Sequence, residues 1–101
     1  MNDCFSDKVY QIVNQIPWGK VTTYGVIARM LGCPQSGRYV GFVMRNAPAF
    51  LPCHRVVNQK GEMAPHDTFG SQDYQRELLR SEGITFLTNG CIFMKEHLWL
   101  G

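Results

Sequence analysis

Apolar positions recur with helical spacing near the start of the chain. Val9, Ile12, Val13 and Ile16 follow the i, i+3, i+4, i+7 pattern of a helix with one buried face. Ser6 stands where an N-cap is expected, Asp7 suits the first turn, and Phe5 and Tyr10 occupy staple positions. Pro17 is expected to stop the helix, with Trp18-Gly19-Lys20 as a turn. A second helix is predicted through Tyr24, Ile27, Ala28, Met30 and Leu31, capped by Thr22 or Thr23 and ended by Gly32 and Pro34. A third is predicted over residues 37–46, with Ser36 as its cap and Pro48 as its limit. Two short helices joined by a Gly-containing turn make a helix-turn-helix arrangement.

Beyond Pro48 the periodicity lapses. Pro48 and Pro52 predict a fixed loop, and His54 to Val57 reads as a short extended piece. Residues 62–71 read as a surface loop. Residues 72–81 read as a helix with Tyr74, Leu78 and Leu79 inward, followed by Gly83. Residues 84–86 and 92–94 read as two short strands around the turn signal Asn89-Gly90. The expected fold is mainly α with short β segments, in a single domain over residues 1–101.

Composition narrows the class. Apolar residues make up 45% and charged residues 18%, as in a folded globular protein. No run approaches the ~20 apolar residues of a membrane span. No basic start precedes an apolar core, so a cytoplasmic setting with free thiols is expected. Cys4, Cys33, Cys53 and Cys91 lack C-x-x-C spacing, and no metal-ligand spacing links His66 and His97, which are expected at the surface. Cys4, Cys33 and Cys91 read most simply as small buried apolar residues.

Charge is unevenly placed. No Asp or Glu lies between Lys8 and Gly61, a stretch that carries Lys8, Lys20, Arg29, Arg38, Arg45, Arg55 and Lys60. The net charge is +2 because both flanks are acidic. A long acid-free basic stretch fits a polyanion partner, although the two halves could also neutralise one another.

The sharpest local feature is Pro52-Cys53-His54-Arg55. A thiol becomes nucleophilic beside a base or a positive charge, and Glu82 is a candidate to orient His54. Neighbours in an extended chain point to opposite faces, so His54 need not touch Cys53 directly, and a bridging water could close the gap.

These residues belong to a larger pattern. Val21-Thr22-Thr23-Tyr24-Gly25, Arg38-x-Val40-Gly41-x-x-Met44-Arg45-Asn46, Leu51-Pro52-Cys53-His54-Arg55-Val56-Val57-Asn58 and Leu78-Leu79-x-x-Glu82-Gly83 occur in that order. The set resembles the active-site domain of the O6-alkylguanine-DNA alkyltransferases. The resemblance implies a winged helix-turn-helix-like domain of the alkyltransferase C-terminal type that enters the minor groove and flips the damaged base, consistent with the physics of those steps. It implies Cys53 as the alkyl acceptor, His54 as the residue that takes the thiol proton through a water, and Glu82 as the carboxylate orienting it. It further implies that Tyr24 contacts the flipped nucleotide, Arg38 replaces it in the duplex, and Asn46 links the recognition helix to the active site. Gly41 and Arg55 join the DNA-contacting set. No metal or organic cofactor is implied. The implied partner is double-stranded DNA containing O6-alkylguanine, bound by a monomer.

Three departures shape the expectation. The match starts near Met1, the layout of alkyltransferase-like proteins, which bind the lesion without repairing it and flag it for nucleotide excision repair. Those proteins replace the acceptor cysteine, whereas Cys53 is kept here, so alkyl transfer is the leading expectation and lesion sensing the alternative. The recognition helix carries bulky Tyr39 and Phe42 where the family has small residues. Where the family has Tyr-x-Gly-Gly this chain has Thr68-Phe69-Gly70-Ser71, leaving Thr68 or Phe69 to replace the tyrosine. A plain helix-turn-helix module and a cysteine hydrolase are further readings, the latter without an oxyanion-hole signature.

Overall fold

The computed structural model describes residues 2–63 and 72–101. Helix α1 spans Asn2–Asn14. It starts upstream of Ser6, which therefore lies inside the helix and caps nothing. No Gly or Pro interrupts residues 2–6, and a serine caps only where the preceding chain is non-helical. The helix ends before Pro17 through short bonds from Gln15 N to Ile12 O and from Ile16 N to Val13 O. Val9, Ile12, Val13 and Ile16 are buried as the period requires.

Strand β1 (Thr22–Thr23) leads directly into α2 (Tyr24–Met30). Thr23 is the N-cap: its backbone is extended and its Oγ1 accepts from Val26 N at 3.1 Å. Gly32, at φ +78°, closes α2, with Gly32 N bonding Arg29 O and Cys33 N bonding Ala28 O. That double bond is the Schellman arrangement and needs the left-handed backbone glycine adopts cheaply. Helix α3 (Gly37–Met44) stops two residues short of the predicted end. Ser36 occupies its N-cap position but makes no side-chain cap bond. Val40, Val43 and Met44 join α1 and α2 in one core cluster, and Tyr10 Oη donates to Val43 O at 2.9 Å.

The expected extended piece at His54–Val57 is corrected. Cys53–Arg55 form a 3₁₀ turn, and only Val56–Val57 are extended, as β2. β2 pairs in parallel with β1, Thr22 opposite Val56 and Thr23 opposite Val57. Helix α4 (Gln72–Ser81) matches its predicted bounds, but Tyr74 faces outward and Gln75 takes the buried position above Leu79. The hairpin around Asn89-Gly90 forms, yet its strands shrink to one bridge, Phe86 to Ile92. Met94 opens the short helix α5 (Met94–His97) in place of the expected strand end. The tail then runs beside β1, with Val21 N bonding His97 O and Trp99 N bonding Val21 O. His97 is buried rather than at the surface. Its Nε2 accepts from Thr85 N at 3.0 Å, while Nδ1 lies 3.4 Å from Gly19 O. His66 lies outside the described residues. Cys33 is exposed, contrary to the buried reading, and Cys91 is half-buried. The result is mainly helical with short β segments, as expected.

Candidate active site

The 3₁₀ turn sits where β2 begins, so pairing with β1 anchors Cys53, His54 and Arg55. Its shape decides their directions. In a strand His54 and Arg55 would point to opposite faces; in the turn both reach the same carboxylate. Glu82 follows α4 directly and is 7% exposed. Its Oε2 lies 2.6 Å from His54 Nε2, while Arg55 donates from Nε to Oε1 at 2.9 Å and from Nη2 to Oε2 at 3.1 Å. Arg55 Nη1 also donates to Ile16 O at 2.8 Å, tying the end of the α1 segment to the site. This fork geometry is what guanidinium supplies and an ammonium does not.

Burial raises the Glu82 pKa, but the hydrogen bonds and charges of Arg55 and His54 outweigh it and hold the carboxyl below its usual range. An ionised Glu82 accepts, so Nε2 is the His54 nitrogen that donates to it. Gln75 fixes the backbone of the same residue, its Nε2 donating to His54 O at 3.0 Å. Cys53 is half-buried, and burial pushes its thiol pKa up, partly offset by its own backbone N–H. The resting thiol is thus protonated at neutral pH and needs a base before it can attack.

Cys53, His54 and Glu82 share a cleft of about 740 Å³. Trp18, Phe50 and Tyr74 stand at it as exposed aromatic side chains. The Trp18 ring centre lies 5.7 Å from the Arg55 guanidinium carbon. Arg45, just past α3, also lines the cleft and so connects it with the helix-turn-helix.

The other predicted residues fall at different distances from this chemistry. Tyr24 is half-buried, packed against the core cluster that Cys53 also touches. Burial raises its pKa, Arg45 opposes that shift and Cys53 adds to it. Arg38 and Asn46 are exposed, on α3 and just beyond it. Gly41 turns toward Tyr24: a Cβ there would stand 3.8 Å from the ring, so its contact is within the protein. Arg55 is likewise held inward by Glu82 and the Ile16 carbonyl, with its side chain 14% exposed, and it lines the same cleft. Thr68 and Phe69 lie outside the described residues. Among the described residues no group of three or more His, Cys, Asp or Glu could hold a metal, and no helix is long and apolar enough to cross a membrane.

Gln75, Trp18 and Arg45 also serve the site, beyond the residues that the sequence motifs suggest. Gln75, Leu79 and Glu82 are spaced i, i+4, i+7, so two polar residues share the face of a core leucine, and that spacing is the signal for Gln75.

A family model described as 6-O-methylguanine DNA methyltransferase, DNA binding domain, matches residues 4–84. Alkyltransferase-like protein 1 of Schizosaccharomyces pombe is 37% identical, over 96% of this chain and 95% of its own length. The DNA base-flipping protein of Escherichia coli K12 is 39% identical, over 96% of this chain and 75% of its own. A methylated-DNA–protein-cysteine methyltransferase of Methanosarcina acetivorans is 33% identical over 78% of this chain, which spans about half of that relative (51%). The structure of S. pombe Atl1 in complex with damaged DNA containing O6-carboxymethylguanine superposes with a TM-score of 0.82 at 36% identity, covering 96% of this chain and 95% of that one.

Proposed function

The chain belongs to the 6-O-methylguanine DNA methyltransferase family, and from that premise we propose that it recognises O6-alkylguanine in duplex DNA as an alkyltransferase-like lesion-binding protein. The extruded base occupies the cleft beside Cys53, and α2 and α3 dock on the duplex. The observation that carries this reading is a cleft of about 740 Å³ whose rim presents Trp18, Phe50 and Tyr74 beside Arg45, aromatic surface and positive charge together. Stacking on such side chains stabilises an extruded base, and the phosphates require the charge. The match to a lesion-bound relative along nearly the whole of both chains supports the same reading. The bound lesion is then marked for nucleotide excision repair proteins.

A second reading adds chemistry at the same site, and one observation favours it: the 2.6 Å contact of Glu82 with the histidine that follows Cys53. In this reading the Cys53 proton passes through a water to His54 Nδ1, and the imidazolium is stabilised by Glu82. The thiolate sulfur attacks the alkyl carbon, the S–C bond forms and the C–O6 bond breaks. Guanine leaves with the electron pair and regains a proton from a nearby donor. The thioether persists, so each molecule reacts once.

Intact-protein mass spectrometry after incubation with an O6-methylguanine duplex, paired with binding of the same duplex, separates the readings. Selective binding without added mass supports lesion recognition alone. One methyl on the Cys53 peptide adds transfer. Neither selectivity nor transfer overturns both.

A further inference from the structure

Helix α3 carries an exposed stripe whose middle residue, Phe42, neither lines the cleft nor joins the core. Its buried side is Val40, Val43 and Met44. Arg38, Phe42 and Arg45 stand at i, i+4 and i+7, one stripe on which all three residues are exposed. Phe42 is 61% exposed, yet its ring is not loose on the surface. It stacks on Tyr39 at 6.1 Å between centroids and 15° between planes. Tyr39 in turn leans on Phe5 of α1 at 5.0 Å and 38°. Two contacts fix the roll of α3 so that this stripe stays outward: Tyr10 Oη to Val43 O, and the close face of Gly41 on the Tyr24 ring. The three rings form a ladder from α1 to α3 that holds Phe42 out between two arginines.

We propose that Phe42 is an apolar wedge that enters the minor groove beside Arg38 and parts a base step, with Tyr39 and Phe5 as its backing. The proposal rests on the DNA-binding reading above. Proteins that work in the minor groove use such wedges to unstack a step and kink the duplex, which lowers the cost of extruding a neighbouring base. The charge around the ring selects this occupant over an apolar protein surface. Arginines flank it in the first turn and at the C-cap of α3, and no Asp or Glu occurs between Lys8 and Gly61.

The test compares the parent protein with Phe42→Ala, Phe42→Leu and Tyr39→Ser on undamaged and O6-methylguanine duplexes. Affinity is read by fluorescence anisotropy at several salt concentrations, and bending by energy transfer between end labels. Thermal melts confirm that each variant folds. Phe42→Ala is expected to bind about tenfold more weakly, with the salt slope unchanged and the bend lost. Phe42→Leu, still a wedge, retains most of both, and Tyr39→Ser falls between. Parent-like affinity and bending by folded Phe42→Ala overturn the proposal and leave the ladder to a protein partner or a second copy. The two readings fail separately: a parent that bends undamaged duplex through Phe42 but ignores the lesion keeps the wedge and loses lesion recognition. A lesion-selective parent indifferent to Phe42 does the reverse.

Discussion

Glu82 and His54, 28 residues apart in the chain, meet with Oε2 and Nε2 2.6 Å apart, and the same carboxylate takes two hydrogen bonds from Arg55. One side chain therefore orients the histidine beside Cys53 and anchors the turn that presents it.

The clamp is a stability device as well as a chemical one. Glu82→Ala leaves the largely buried Arg55 guanidinium without its carboxylate and is expected to cost about 3 kcal/mol, lowering Tm by roughly 15 °C. The depressed Glu82 pKa gives the sign of the pH dependence. The stabilisation is complete above the ordinary carboxylate range and is lost as pH falls through the lower folded-state value. Melts of the parent from neutrality into acid should thus converge on those of Glu82→Gln. Parallel curves would contradict the assignment.

Cys53 is expected to be a slow thiol at rest. Burial raises its pKa, whereas Cys33 is exposed. Iodoacetamide labelling with peptide mapping should modify Cys33 first at neutral pH, and Cys53 should gain only as pH rises above the usual thiol range. Preferential labelling of Cys53 at neutral pH would mean that His54 already activates it without DNA.

His97 ties the tail to the hairpin by accepting from the Thr85 amide. His97→Leu removes that acceptor and should cost about 1–3 kcal/mol. Hydrogen exchange at the Thr85 amide should accelerate first. An unchanged exchange rate would show that the contact carries no stability.

Arg38 is exposed at the start of α3. If it fills the space left by the extruded base, Arg38→Ala should lose about tenfold in affinity for a fully paired lesion duplex. The loss should be much smaller on a duplex with an unpaired lesion, where extrusion is cheap. Equal losses on both would make Arg38 a simple phosphate contact.

Much of this arrangement is legible in the sequence, and the failures share a cause. The buried stripe of α1 and the Gly32 terminator depend on neighbours within one turn and appear where local patterning places them, and of the two candidate caps, Thr22 and Thr23, the structure uses Thr23. The 3₁₀ turn at Cys53–Arg55 does not, because the carboxylate that draws His54 and Arg55 to one side comes from beyond α4. Apolar periodicity alone turns Tyr74 inward, whereas Gln75 claims the buried position through its bond to His54 O. His97 looks like a surface residue until Gly19 and Thr85, distant in sequence, close around it. Cys53, His54 and Glu82 were recognisable as a set from the motif strings, and the structure brings all three to one cleft.

Competition binding shows whether this cleft receives O6-alkylguanine. A labelled O6-methylguanine duplex is displaced by unlabelled duplexes of the same sequence, with and without the lesion, using Cys53→Ala so that transfer cannot obscure binding. With the lesion bound in the cleft, the damaged competitor is expected to be at least about tenfold more effective. Equal displacement by both would contradict it.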